Sequence, residues 1–228
     1  RRQRQMCIRD RCKTVVDKFK GNSNCLTPIY IFGNHGLGKT HLLNAMCNEI
    51  DNNNSDAKVV YVTAEELFNE YLSALTSRNM DDFNKKYKND TDVLLIDDIQ
   101  FLSGKATMQD ELFHIINTFI ENNKPIVLTA DIAPSNISNI KYSLYSRIVS
   151  GLVAEITYPE FEMKYKIVKN TVKKFNLNIP EKTIEYIANK ITFNMAQLQG
   201  VTNSICAKYN FCKEDPTIEL AEKVINEL

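Results

Sequence analysis

Gly33-Asn34-His35-Gly36-Leu37-Gly38-Lys39-Thr40 decides the fold. It fits the pattern G-x-x-x-x-G-K-[ST], in which glycines let backbone N–H groups turn inward around phosphate oxygens. A lysine at Lys39 reaches the β and γ phosphates, and a hydroxyl at Thr40 ligates Mg²⁺. The context is the required one. Before the loop, Pro28-Ile29-Tyr30-Ile31-Phe32 is a short apolar run that reads as a buried strand. After it, Leu42, Leu43, Met46, Cys47 and Ile50 share one face of a helix whose positive N-terminus points at the anion.

Outward from the loop, strands and helices alternate. Lys58 to Thr63 reads as a second strand, followed by a helix through about Leu75 and another from roughly Met80 to Tyr87. The polar residues 51–56 between helix and strand read as a loop. Val93-Leu94-Leu95-Ile96 is a third buried strand, closed by Asp97-Asp98. Residues 108–122 read as a helix, 125–129 as a fourth strand, about 141–147 as a short helix and 152–156 as a fifth strand. Nearly continuous apolar strands between helices predict a parallel sheet covered on both faces. Past Pro159 the strands stop. Segments 161–175, 181–191, 194–209 and 217–228 all read as helices, with Ile184, Ile187, Ala188 and Ile191 forming one apolar stripe. The expected division is an α/β domain over 13–158 and an all-α domain over 159–228.

The strand ends carry candidate chemistry. A carboxylate such as Asp97, beside a phosphate loop, can hold Mg²⁺ through water, while Asp98 can orient the water that attacks the γ-phosphate. Asp131 follows the fourth strand and could sense the γ-phosphate; such a residue also serves as a turn or cap. Arg147 is one of two arginines beyond residue 12, in a chain that otherwise uses lysine. Arginine gives planar, bidentate phosphate contacts that lysine cannot, although a surface ion pair also accounts for it.

Composition narrows the function classes. Formal net charge is zero and charged residues make up 25% of the chain, so nothing marks the whole chain as a nucleic-acid binder. No run of about 18 apolar residues suits a membrane span. The six cysteines show no CxxC pair or zinc spacing and read as reduced thiols of a cytoplasmic protein. Five of the seven arginines fall in the first twelve residues. That segment reads either as a basic arm or as a foreign stretch, and we treat 1–12 as a non-native or disordered leader. An independent gene read encoding the same twelve codons in frame would overturn that. Without it the remainder is mildly acidic.

Together these stretches resemble the nucleotide-binding core of the DnaA family of bacterial chromosomal replication initiators. Gly36-Leu37-Gly38-Lys39-Thr40-His41-Leu42-Leu43 and Leu94-Leu95-Ile96-Asp97-Asp98-Ile99-Gln100-Phe101 carry most of the resemblance. Leu128-Thr129-Ala130-Asp131, Ser146-Arg147 and Leu198-Gln199-Gly200 fall at matching spacings. The resemblance implies an AAA+ P-loop NTPase: a five-stranded parallel sheet between helices, then a small all-α lid. ATP with Mg²⁺ would sit at the junction, on residues 33–41 with Thr40 and Asp97 as metal positions. It further implies ATP-dependent self-assembly into a filament on the origin, with slow hydrolysis as the reset. Arg147 would act in trans as the arginine finger. Residues 64–87 look like the insertion that contacts single-stranded origin DNA, with Leu72 and Lys105 as loose matches; a core leucine and a surface lysine are the plain alternatives.

Three family arginines are absent, at Ala196 in the lid, Ser143 and Thr107. Loss of the lid arginine puts hydrolysis and ATP/ADP discrimination in doubt. A partner-binding domain before residue 13 and a duplex-reading helix-turn-helix after Leu228 are expected to lie outside this chain, as would contact with a replicative helicase. Two alternatives remain: a helicase-loader-type AAA+ protein, and a regulator related to the initiators with weak or no hydrolysis.

Overall fold

A computed structural model describes residues 27–53, 56–175, 177–191, 195–212 and 214–227. The leader 1–12 and the helix expected over 13–20 lie outside the described residues. The described chain divides into two compact units, the second beginning at Thr157 and including the loop tip His35–Gly38.

The first unit is a parallel sheet. Its strands are β1 (Ile29–Phe32), β2 (Val59–Thr63), β3 (Val93–Asp97), β4 (Ile126–Ala130) and β5 (Leu152–Glu155). They lie in the order β2-β3-β4-β1-β5, every neighbouring pair parallel. Alternate strand residues face opposite layers. Ile29, Ile31, Val93, Leu95 and Val127 pack with Leu43, Met46 and Ile50 of helix α1 (Lys39–Asn53). Tyr30, Leu94, Ile96, Ile126 and Leu128 face the other layer. That layer contains α2 (Ala64–Thr76), α3 (Met80–Asn84), α4 (Ala106–Glu121) and α5 (Tyr142–Ser150). Two apolar faces explain why the strands read as unbroken hydrophobic runs.

The order has a functional consequence. Strand β1 lies between β4 and β5, so the loop leaving β1 emerges beside the end of β4. The end of β3 is one strand further along. Open parallel sheets bind ligands outside the carboxyl ends of their strands, where the strand order reverses.

Two local expectations are corrected. Helix α1 runs through Asn53, so Asp51 to Asn53 are helical rather than loop. The helix expected from Met80 to Tyr87 is α-helical only to Asn84 and continues as a π-helical turn over Lys85–Asn89. Buried Phe83 and Tyr87, with ring centroids 4.9 Å apart, anchor both parts.

The second unit holds α6 (Phe161–Lys174), α7 (Glu181–Lys190), α8 (Met195–Ala207) and α9 (Ile218–Glu227). Val168, Val172, Ile184, Ile187, Ile191, Leu198, Val201, Ile205 and Val224 form its core. Cys47, Cys206 and Cys212 are free thiols. No described helix is long and apolar enough to cross a membrane.

Candidate nucleotide site

The loop after β1 is shaped by its glycines. Gly33 donates to Ala130 O at 3.2 Å, and a Cβ on it would meet Ile156 O at 2.5 Å. A side chain there would push the loop off the sheet. Gly36 and Gly38 have φ of 75° and 89°, in the left-handed region glycine enters without penalty. Helix α1 then begins at Lys39, which turns the free N–H groups of its first turn toward the loop.

Lys39 is only 6% exposed. Its ammonium donates to Gly33 O at 2.7 Å, Asn34 O at 3.2 Å and Asp131 Oδ1 at 2.7 Å. A buried ammonium without partners would be costly, and here a carboxylate at a strand tip and two loop carbonyls satisfy it. Asp131 thus meets the loop through Lys39.

Asp97, the last residue of β3, is 2% exposed. Its Oδ2 accepts from Thr40 Oγ1 at 2.6 Å and from Tyr61 OH at 3.1 Å, while Thr129 Oγ1 donates to its Oδ1. The sheet register produces this. Thr63 pairs with Asp97, so Tyr61 is its diagonal neighbour on the same face. Thr129 follows directly on the Ile96–Leu128 pair. Burial, then the negative charge of Asp97, push the Tyr61 phenol up to about 12, which keeps it a donor. Thr40 and Asp97 bring hard oxygens together, the donor type that suits Mg²⁺. Among the described residues no cluster of three His, Cys, Asp or Glu side chains forms a metal cage. An ion here would complete its shell with phosphate and water oxygens, as Mg²⁺ commonly does.

Asp98 adopts φ 59°, ψ 50°, a left-handed conformation that turns the chain sharply after β3. Its N–H donates to Thr129 Oγ1 at 3.2 Å. Gln100, on the 3₁₀ turn Ile99–Leu102, sends Nε2 to Asp98 Oδ1 at 3.1 Å and to Asp131 Oδ2 at 2.9 Å. Its Oε1 accepts from Asp131 N–H at 3.3 Å. The structure therefore gathers Gly33, Asn34, Lys39, Thr40, Asp97, Asp98 and Asp131 into one polar network. It adds Tyr61, Gln100 and Thr129, to which sequence reasoning gave no role.

The other candidates lie elsewhere. His35 and His41 are exposed, the latter in the first turn of α1, and Leu37 is half-buried. Arg147 is half-buried on α5, its guanidinium 5.8 Å from the centre of the Phe113 ring. Among the described residues it forms no ion pair. Leu72 is 42% exposed and is not a core leucine. One helical turn away on α2, Phe68 meets the ammonium of Lys105 at 4.4 Å, with Phe101 on the same ammonium at 3.0 Å. Lys105 thus lies against two aromatic rings, one of them a helical turn from exposed Leu72. Ser143, Thr107 and Ala196 are exposed.

Comparison with known proteins fits this arrangement. A sequence profile for the bacterial DnaA ATPase domain matches residues 11–155. The chain belongs to the bacterial DnaA ATPase family. The chromosomal replication initiator protein DnaA of Methylacidiphilum infernorum is 42% identical over 202 residues, covering 88% of this chain and 44% of that protein. The chain spans less than half the length of the curated DnaA relatives it matches. Domain III of the Thermotoga maritima replication initiation protein DnaA superposes with a TM-score of 0.86 at 29% identity, covering 95% of this chain and 90% of that one. A replication initiator DnaA bound to AMPPCP and single-stranded DNA matches at a TM-score of 0.77 and 32% identity, covering 94% and 64%. The AAA+ fold expected from the DnaA resemblance is the fold found.

Proposed function

We propose that this chain is the ATP-binding core of a bacterial replication initiator, which takes bound ATP as the signal to self-assemble on origin DNA. The observation that carries this is the convergence of Lys39, Thr40, Asp97 and Asp131 at the mouth of the glycine loop. In this reading residues 33–41 cradle the phosphates and the N-terminus of α1 faces their charge. Lys39 keeps its ammonium on Asp131 and presents its remaining donors to the β and γ oxygens. Thr40 and Asp97 hold Mg²⁺, which when bound neutralises charge developing on the phosphates. Tyr61 and Thr129 keep the Asp97 carboxylate aimed. Asp98 orients the attacking water, and turnover is slow enough to act as a reset. The two compact units correspond to the nucleotide-binding and lid domains of this reading, divided near residue 158.

Arg147, half-buried and without an ion pair among the described residues, is available to reach the γ-phosphate of a neighbouring copy. Leu72 and Lys105 are placed to meet single-stranded origin DNA, where apolar and cationic groups together suit bases and backbone. The relative bound to AMPPCP and single-stranded DNA supports a nucleotide and a single strand as the ligands of this reading. Duplex recognition and contact with a replicative helicase would belong to the whole initiator, in the cytoplasm.

The test is ATP-dependent assembly, followed by light scattering. Arg147→Ala is expected to bind ATP within about twofold of the parent, yet to lose assembly, because a finger contributes only across the interface. Normal assembly by that variant would sink the finger assignment. A second reading, a DnaA-related regulator with weak or no hydrolysis, is favoured by Ala196 and Ser143 standing where the family carries arginines. ATP binding and assembly with no measurable turnover would select it.

A further inference from the structure

Gln100 is tied into the site by three hydrogen bonds, two of them to carboxylates carried by different elements. Its Nε2 spans Asp98 Oδ1 and Asp131 Oδ2, and its Oε1 takes the Asp131 N–H. A primary amide suits this place because it offers two donors and an acceptor in one plane. An acid would set a third negative charge beside two others, and asparagine is one methylene short. The 3₁₀ turn over Ile99–Leu102, closed by Phe101 N–H to Asp98 O at 3.0 Å, folds the Gln100 side chain back over the strand tips.

The two oxygens of Asp131 are divided between partners. Oδ2 faces Gln100 and Oδ1 faces Lys39 at 2.7 Å. An anionic carboxylate cannot attract a γ-phosphate directly; it acts on one through the ammonium it holds. The angle at which Lys39 is presented therefore depends on what fixes the rest of the carboxylate. We propose that Gln100 is a positioning residue, which clamps Asp131 so that Lys39 is aimed at the γ-phosphate and ATP is preferred over ADP. This rests on the reading of residues 33–41 as a phosphate loop. A diphosphate keeps the β contact of Lys39 but lacks the γ contact that this aim serves, so its binding depends far less on the clamp.

The experiment is a double-mutant cycle on the 228-residue chain, reading the Kd for ATP and for ADP by equilibrium titration. Gln100→Ala is expected to weaken ATP about tenfold and to leave ADP within about twofold, as loss of a charge-assisted contact made only with ATP would do. Gln100→Met, which keeps the length without the polar atoms, should match it, and retained ADP affinity shows that each variant is folded. Asp131→Asn should lower the ATP preference as well, and adding Gln100→Ala to it should change nothing further. Equal weakening of ATP and ADP, or additive losses in the double variant, would overturn the clamp. A shift in the Asp131 variant with none in the Gln100 variants overturns the role of Gln100 alone. A parent chain with no preference for ATP, or an Asp131 variant that keeps it, overturns the sensing role of Asp131 and the clamp together. Failure of the parent to bind either nucleotide overturns the phosphate-loop reading itself.

Discussion

The two units bury polar side chains in different ways. In the α/β unit, Asp97 and Thr129 are buried at the strand tips and bond to side chains contributed by different elements, and buried Lys39 joins the Asp131 carboxylate to two loop carbonyls. Among the described residues of the helical unit the buried polar side chains are Thr183 and Thr202, which donate to Pro216 O and Leu198 O. A buried hydroxyl bonded to a backbone carbonyl satisfies its own donor within the fold, which is a structural requirement. Side chains bonded to one another can be parted by a ligand that replaces each partner. Gln109 in the α/β unit is a control: it is 1% exposed and bonds only to backbone, at Leu102 O, Asn139 O and Lys141 N. By this criterion it is structural although it lies in the unit that holds the site.

The largest expected effect breaks the first kind of bond. Lys39→Ala should weaken ATP by about 100-fold, near 3 kcal/mol, since a buried charge-assisted contact is lost and Asp131 is left facing the phosphates. Tight ATP binding by this variant, measured by calorimetry, would mean the network is structural after all. Next comes the control. Gln109→Ala should cost about 2 kcal/mol of stability by stranding three backbone groups, visible as a Tm lower by roughly 4–8 °C. Its Kd for ATP should not move, and a parallel fall in affinity would erase the distinction drawn here. Ala196→Arg asks whether the helical unit can be given a site residue. An arginine there should tighten ATP or speed turnover by about fivefold, the scale of one partly solvated charge contact; no change in either would show that the helical unit takes no part. Smallest is Tyr61→Phe. It removes one of three donors to Asp97 and should raise the Mg²⁺ concentration needed for ATP binding by about threefold. An unchanged requirement would show that Thr40 and Thr129 suffice.

The same contrast explains what could be read from the sequence. All five strands were legible to within one or two residues, because apolar runs between acidic and glycine punctuation have few other interpretations. Gly33, Lys39, Thr40, Asp97 and Asp98 were legible because their chemistry is local, set by spacing along the chain. Tyr61, Thr129 and Gln100 were not, because each matters only once β2, β3 and β4 are brought into register. A tyrosine in a strand and a glutamine after a turn have no pattern of their own. The helix limits failed for a different reason. Asp51 to Asn53 look like a loop by composition, yet the polar residues of an exposed helical end cost little to keep helical. The π-helical turn at Lys85–Asn89 leaves no recognisable period over so few residues. Leu72 was ambiguous because an apolar residue on an amphipathic helix reads as core until its 42% exposure is seen.

The left-handed backbone at Asp98 has one further consequence. Glycine enters that region freely, whereas a residue with a Cβ gives up about 1 kcal/mol to stay there. Asp98→Gly would relieve that strain while giving up the carboxylate and its hydrogen bond from Gln100. The aspartate records a compromise, in which a small standing loss of durability is the condition for keeping an acid at the mouth of the loop.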